Sequence, residues 1–355
     1  MQTEGIKYAG SKKAIIPSIL EICTKLQVKS AFDGFAGTTR VSQGLYKIGI
    51  QVHSNDISDW SYIFGLCYLK NSKPAEFYEP LLEHLNNLPG KSGWFSENYG
   101  GMESDEKKIW QIHNTQKLDA IREEIERLRL DEVARAVLLT SLILAMDKVD
   151  SSLGHHTSYL KKWAPRSFAT MKMVLPKLIS VSENKNKVIR GDVFDTVKNI
   201  STDLAYFDPP YGSSNEKMPP SRVRYASYYH LWTTIIRNDQ PKLVGAAKRR
   251  QDVSDVVATS VFEEFRRSES GKFIALEAIE QLIRLTPAPY IVLSYSNQGR
   301  ATRDNLVELI SSYARAFSIV EHNHKSHVMR SMCWTKNWAN LEEGTKEYLF
   351  VLNKK

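Results

Sequence analysis

Residues 29–56 read KSAFDGFAGTTRVSQGLYKIGIQVHSND, and the order of signals in them decides the fold. KSAFD (29–33) is a short apolar run closing on an acid, the pattern of a buried strand. GFAGTTR (34–40) is a turn with two glycines. VSQGLYKIG (41–49) fits a short helix despite Gly44, and IQVHSND (50–56) fits a second strand. ISDWSYIFGLCYLK (57–70) is helical again. Strand, helix and strand of these lengths make a βαβ unit, whose strands run parallel because the helix carries the chain back across the sheet. The predicted fold is therefore α/β, a Rossmann-like domain with a mostly parallel sheet.

Outward from this unit the pattern changes. Residues 71–106 mix Pro, Gly, Asn and Ser with aromatic residues. Two helical segments follow, at 107–130 and 131–148, and then the basic, aromatic stretch SSLGHHTSYLKKWAPRSFATMK (151–172). Sheet-like patterns resume at NKVIRGD (186–192) and DLAYFD (203–208). Residues 71–185 thus read as a mostly helical insertion, with 1–70 and 186–355 forming the α/β domain. The last third predicts a helix at 272–285, a strand at 288–297, a helix at 302–314, and strands at 317–323 and 347–352.

The composition narrows the function classes. A formal charge of +8 and a pI near 9.1 fit a polyanionic partner such as nucleic acid. The charge is concentrated: residues 151–190 hold eight lysines and arginines against one acid, Glu183. Cys23, Cys67 and Cys333 are far apart and odd in number, which speaks against a disulfide framework or a zinc site, and no metal is expected. The N-terminal MQTEGIKYAGSKK lacks the apolar core of a signal peptide, and the apolar stretch AVLLTSLILAM (136–146) is too short to span a bilayer. A reducing cytoplasm is the default, away from membranes.

Two stretches carry chemistry. A strand ending in Asp33, with Gly34 and Gly37 in the turn after it, lets backbone approach a ligand closely. It is neither the GxGxxG fingerprint nor a P-loop, and alone it reads equally as a bare tight turn. Asp56 closes the next strand, where nucleotide-binding α/β folds place an acid that accepts hydrogen bonds from ribose hydroxyls. The pair points to an adenosine-containing ligand. The second stretch is DPPY (208–211). Two prolines remove two N–H donors and hold the preceding residue extended, so the loop offers acceptors alone. A carboxylate and a carbonyl suit an NH₂ group, and Tyr211 adds a flat face.

With KYAGSK (7–12) ahead of DGFAGTT, and YFDPPY after both, the chain resembles the D12-class (alpha group) DNA adenine-N6 methyltransferases. Similarity extends to AMDKVDSSLGHHTSYLKKW, YASYYHLW and IVLSYSNQG. The resemblance implies S-adenosylmethionine as cofactor, held by Tyr8, Gly10, Ser11, Lys12, Asp33, Phe35, Gly37, Asp56 and Asp192. It implies that Asp208, Pro209, Pro210 and Tyr211 hold an adenine flipped out of duplex DNA, with methyl transfer to its N6. The family turn usually ends FxGxG, whereas Thr39 stands at the last glycine here.

The insertion is the natural target-recognition region. Its basic–aromatic cluster of His155, His156, Lys161, Lys162, Trp163 and Arg166, with Arg222 and Arg224 after DPPY, is expected to contact DNA. A solvated helix end and a mobile loop are the plainer readings. Lys248, Arg249 and Arg250 read as solvated surface. Double-stranded DNA is the expected partner, with a cognate restriction endonuclease as a functional rather than physical one. The alternatives are an RNA adenine or other DPPY-type amino methyltransferase, and a non-catalytic nucleic-acid-binding subunit. The target DNA sequence and the oligomeric state do not follow from the residues.

Overall fold

The computed structural model describes residues 2–102, 109–160, 162–179, 185–211, 225–253, 260–264, 266–324 and 344–355. Its centre is a seven-stranded sheet of β1 (Ser30–Asp33), β2 (Gln51–Asp56), β3 (Lys187–Arg190), β4 (Leu204–Phe207), β5 (Tyr290–Ser296), β6 (Ala314–His324) and β7 (Thr345–Lys354), in the order β6-β7-β5-β4-β1-β2-β3. The β1–β2, β1–β4, β2–β3 and β4–β5 pairs are parallel, while β7 runs antiparallel to both neighbours. From β1 the chain proceeds outward through β2 and β3, then returns to lay β4 on the other side. The carboxyl ends of β1 and β4 flank that switch point, where open α/β sheets bind ligands.

Strand periodicity divides the core. Ala31, Leu204, Tyr206, Val292 and Leu349 face one apolar cluster, and their alternating neighbours Phe32, Ala205, Phe207, Leu293 and Phe350 face the other. The first cluster is covered by α1 (Ile16–Lys25), α2 (Arg40–Lys47), α3 (Asp59–Gly65), α4 (Ala75–Asn87), α5 (Ile112–Arg127), α6 (Glu132–Lys148) and α8 (His230–Arg237). The second is covered by α7 (Val193–Val197), α9 (Ile274–Leu285) and α10 (Arg303–Tyr313).

The helices of the 71–185 segment share the first core. Tyr78, Leu85, Leu118, Ile121, Leu138 and Leu142 lie in one cluster with Phe64, Leu69 and Trp232. α6 begins where predicted, because the Asp131 carboxylate accepts the Ala134 N–H at 2.9 Å and caps it. α5 starts later than the sequence reading, at Ile112. Trp110 is extended and fully buried, and its indole N–H donates to the Met146 carbonyl at 3.0 Å. The expected 57–70 helix is α only to Gly65 and continues as a π turn over Leu66–Lys70. No helix among the described residues is long and apolar enough to cross a membrane. Cys23 and Cys67 are buried free thiols, Cys23 pushed up to about 12 by burial, and Cys333 lies outside the described residues.

Candidate active site

The turn after β1 is shaped by close approach. A Cβ on Gly34 would stand 2.7 Å from the Phe207 ring, so only glycine fits between β1 and β4 there. Gly37 has φ +48°, and its N–H donates to Asp56 Oδ2 at 2.8 Å. The Ser58 N–H holds Asp56 Oδ1 at the same distance. Burial raises the Asp56 pKa against these two bonds. Thr39, at the position of the family's last glycine, has φ +58°. The substitution leaves the backbone in the left-handed region that glycine favours, and a β-branched residue is strained there. Thr39 is held by its N–H to the Ala36 carbonyl at 2.6 Å and by Gln43 Nε2, which donates to its hydroxyl at 3.1 Å.

Asp33 is buried at the end of β1. The Ser42 hydroxyl donates to its Oδ2 at 2.6 Å, and its Oδ1 has no partner. Burial first, with Asp208 and Asp56 adding to it, pushes Asp33 up to about 7.

The end of β4 meets the N-terminal motif. Gly10, at φ +79°, turns the chain so that Lys12 points inward, where it is 6% exposed. Its ammonium lies 2.8 Å from Asp208 Oδ1, 3.0 Å from Glu347 Oε1 and 5.5 Å from the centre of the Tyr211 ring. Burial opposes the charge on Lys12, but Asp208, Tyr211 and Glu347 outweigh it and raise its pKa well above the ordinary value. Asp208 is pushed up to about 7, by burial first and by Glu347, with Lys12 pulling the other way. The 2.8 Å ion pair by itself would lower Asp208. Desolvation and the second carboxylate decide the upward direction.

Every residue predicted for the cofactor or the base lines one cavity of about 490 Å³. Tyr8 stacks on Tyr229 at 4.7 Å between ring centres, and Trp60 and Tyr225 complete that wall at 5.7 and 5.8 Å from Tyr8. The Ala9 N–H donates to Tyr229 Oη at 2.7 Å, fixing the N-terminal segment against this wall. At the opposite end Asp192 caps α7 by accepting the Phe194 N–H at 2.7 Å, and Phe194 stacks on Phe262. Ile57 is 72% exposed at this rim although it is a large apolar residue.

Sequence reasoning named Tyr8 but missed Glu347, Ile57 and the rest of the aromatic wall, Trp60, Tyr225 and Tyr229. A faint signal for Glu347 existed: it is the one acid entering the apolar run EYLFVL (347–352).

The expected DNA-facing cluster is not assembled as expected. His155 and His156 are buried rather than displayed. His155 stacks on Tyr228 with ring centres 5.2 Å apart, and His156 meets the Trp232 ring edge-on at 4.6 Å. Burial, then His230 and His155, hold the His156 pKa well below its ordinary value, so it is a neutral core side chain. The Arg166 guanidinium bonds Asp150 Oδ1 at 3.0 Å and the Ser152 carbonyl at 2.6 Å. Lys7 pairs with the same carboxylate, so Arg166 braces the loop. Lys162 is exposed and Trp163 half-buried. Lys161, Arg222 and Arg224 lie outside the described residues. Arg250, expected at the surface, is buried instead. Asp239 accepts two of its N–H groups at 2.6 and 2.7 Å, and Asp252 accepts two more. Two nearby acids make a buried guanidinium tolerable.

A D12 class N6 adenine-specific DNA methyltransferase family model matches residues 8–261, and the chain belongs to that family. Among curated relatives, the Modification methylase StsI of Streptococcus sanguinis is 28% identical over 87% of this chain and 46% of its own. The Type II methyltransferase M.NlaIII of Neisseria lactamica is 26% identical over 91% of this chain and 90% of its own. The Modification methylase LlaI of Lactococcus lactis subsp. lactis is 28% identical, with 49% of its length covered. The chain therefore spans about half the length of two of these relatives and nearly all of the third. A family of methyltransferases requires a methyl donor.

Proposed function

We propose that this protein is a site-specific DNA methyltransferase, moving a methyl group from S-adenosylmethionine to N6 of an adenine flipped out of duplex DNA. The observation that carries the reading is one cavity with two unlike ends. One end has the glycine turn and two acids, and the other has DPPY on a buried lysine. The donor set fits the cofactor. Asp33 Oδ1, a buried acceptor without a partner, suits its cationic methionine part. Asp56 keeps free lone pairs beside its two N–H bonds and suits ribose hydroxyls. Ile57 and Phe194 offer apolar surface for a purine, next to Asp192. Bound there, the cofactor supplies an activated methyl group on sulfonium.

The chain's residues then handle the base. The amino nitrogen of adenine is a poor nucleophile because its lone pair is delocalised into the ring. The Asp208 carboxylate and the Pro209 carbonyl each accept one of its N–H groups, localising the pair and aiming it. Pro209 and Pro210 keep competing N–H donors away, and Tyr211 stacks on the base. A carboxylate with a raised pKa is also the group suited to take the released proton. Positioning and electrostatics carry the acceleration. A flipped base must leave the helix first, at a cost of a few kcal/mol.

Within residues 151–179, Lys162 and Arg166 are the exposed members of the predicted cluster; Arg166 is held on Asp150, so Lys162 is the candidate phosphate contact there. The relatives named modification methylases favour the modification arm of a restriction system, in the bacterial cytoplasm with a cognate endonuclease.

The test is methyl transfer from labelled S-adenosylmethionine into unmethylated duplex DNA, with RNA alongside and nucleoside analysis afterwards. N6-methyladenine from DNA supports the reading. Label in RNA alone moves the substrate to RNA, and cofactor binding without transfer to either leaves the non-catalytic subunit.

A further inference from the structure

Glu347 lies in β7, beyond the residues that the family model matches, and it is 3% exposed. The strand residues after it, Tyr348, Leu349 and Phe350, belong to the core. A buried carboxylate is costly unless it is paired and hydrogen-bonded. Here it is both. Lys12 Nζ is 3.0 Å from Oε1, the Ser294 hydroxyl donates to Oε1 at 2.6 Å, and the Tyr211 hydroxyl donates to Oε2 at 3.5 Å. Lys12 and Asp208 alone would already form a neutral pair. Glu347 turns that pair into one cation shared by two anions and ties the DPPY tyrosine to the same cluster.

We propose that Glu347 is a positioning residue for the transfer step: it takes a share of the Lys12 ammonium, leaving Asp208 able to accept the amino hydrogens of the adenine. This rests on the reading of the cavity given above. With Lys12 committed to Asp208 alone, the carboxylate would be more fully neutralised and a weaker acceptor. In the transfer the amino nitrogen gains a carbon and gives up one proton. Asp208 receives the proton and becomes a carboxylic acid, while the electron pair of the broken bond stays on the donor's sulfur. Glu347 remains on Lys12 throughout, so the lysine keeps its place and charge as Asp208 neutralises. Among the described residues, the other titratable groups around Asp208 are Asp33 from β1, Tyr206 from β4, Tyr211 from the DPPY loop, and Tyr8 from the N-terminal segment. Of these, Tyr211 also touches Glu347.

The test has two readouts. In the unliganded protein, the Asp208 side-chain carboxyl is titrated by carbon-13 NMR and assigned by its loss in Asp208→Asn. Glu347→Gln removes a negative charge, so the Asp208 midpoint moves down, by about one pH unit for a neighbouring charge. In single-turnover methylation of DNA, the acid limb moves down with it. The plateau rate drops about tenfold, while cofactor and DNA affinities hold. Glu347→Asp keeps the charge but draws it back, and moves the midpoint the same way by less. An Asp208 midpoint that stays put in both variants overturns the proposal. So does a uniform loss of rate with an unmoved acid limb, which assigns Glu347 to packing. If wild-type protein methylates no DNA, the proposed function fails, and the unliganded titration still decides the role of Glu347.

Discussion

Lys12 Nζ sits 2.8 Å from Asp208 Oδ1, joining the first motif of the chain to the DPPY motif. Lys12 is carried by the short turn after Gly10, and Asp208 by the end of the central strand β4. The N-terminal motif and the DPPY loop are therefore tied together at one end of the cavity by a buried ion pair.

Removing the carboxylate should separate chemistry from binding. Asp208→Ala is expected to leave cofactor binding largely intact and to lower single-turnover transfer by at least ~10²-fold, the scale of losing a well-placed polar group. Calorimetry with the cofactor and a quench assay on DNA check the two halves. Turnover like that of wild type removes Asp208 from the reaction.

Asp33 predicts a pH dependence of stability. Its folded pKa, about 7, lies above the unfolded carboxylate value of ~3.9. Folded and unfolded forms are both protonated below that lower value, and no penalty exists there. As the pH climbs through this window the folded state holds the proton longer, so ionisation increasingly destabilises it. Asp33→Asn should therefore match wild type near pH 4 and exceed it by about 1–3 kcal/mol at pH 8, without cofactor. The same variant should bind S-adenosylmethionine more weakly. Urea titrations across the pH range check the first statement, and an advantage that shrinks with rising pH refutes it.

Thr39 stores backbone strain. Thr39→Gly and Thr39→Ala both remove the buried hydroxyl and γ-methyl and differ by the Cβ alone, so their difference reports chiefly the φ of +58°. The glycine variant should be more stable than the alanine variant by about 1 kcal/mol. Thermal unfolding of the pair decides it, and equal stabilities would show that the turn relaxes.

The basic cluster divides by burial. Lys162→Ala should reduce the slope of log affinity for DNA against log salt by about 1. His156→Ala should instead lower stability through loss of its packing on Trp232 and leave that slope unchanged. A slope unaltered by Lys162→Ala removes it from the interface.

The fold was legible where apolar strands are short, buried and bounded by turn residues. β1, α2 and β2 fall within a residue or two of their predicted limits, because each strand end is marked by an acid and a turn. The cavity was legible for a related reason: glycine and proline constrain backbone locally, whatever the rest of the chain does. α1, α4 and α8 escaped notice, and α8 lies in a stretch read only for its resemblance. What sequence could not show was pairing between distant residues. HHTSYLKKW looks the same wet or buried, and the burial of its histidines is set by Tyr228 and Trp232 far along the chain. Glu347 is one acid among many until Lys12 is folded onto it.

The central claim is adenine methylation at a defined site, and the most direct measurement is modified-base sequencing. Unmethylated bacterial genomic DNA is incubated with S-adenosylmethionine and either wild-type protein or Asp208→Ala. The account predicts N6-methyladenine at one recurring motif with wild type and almost none with the variant. DNA left unmarked by a wild-type protein that binds the cofactor, or equal marking by both proteins, would contradict it.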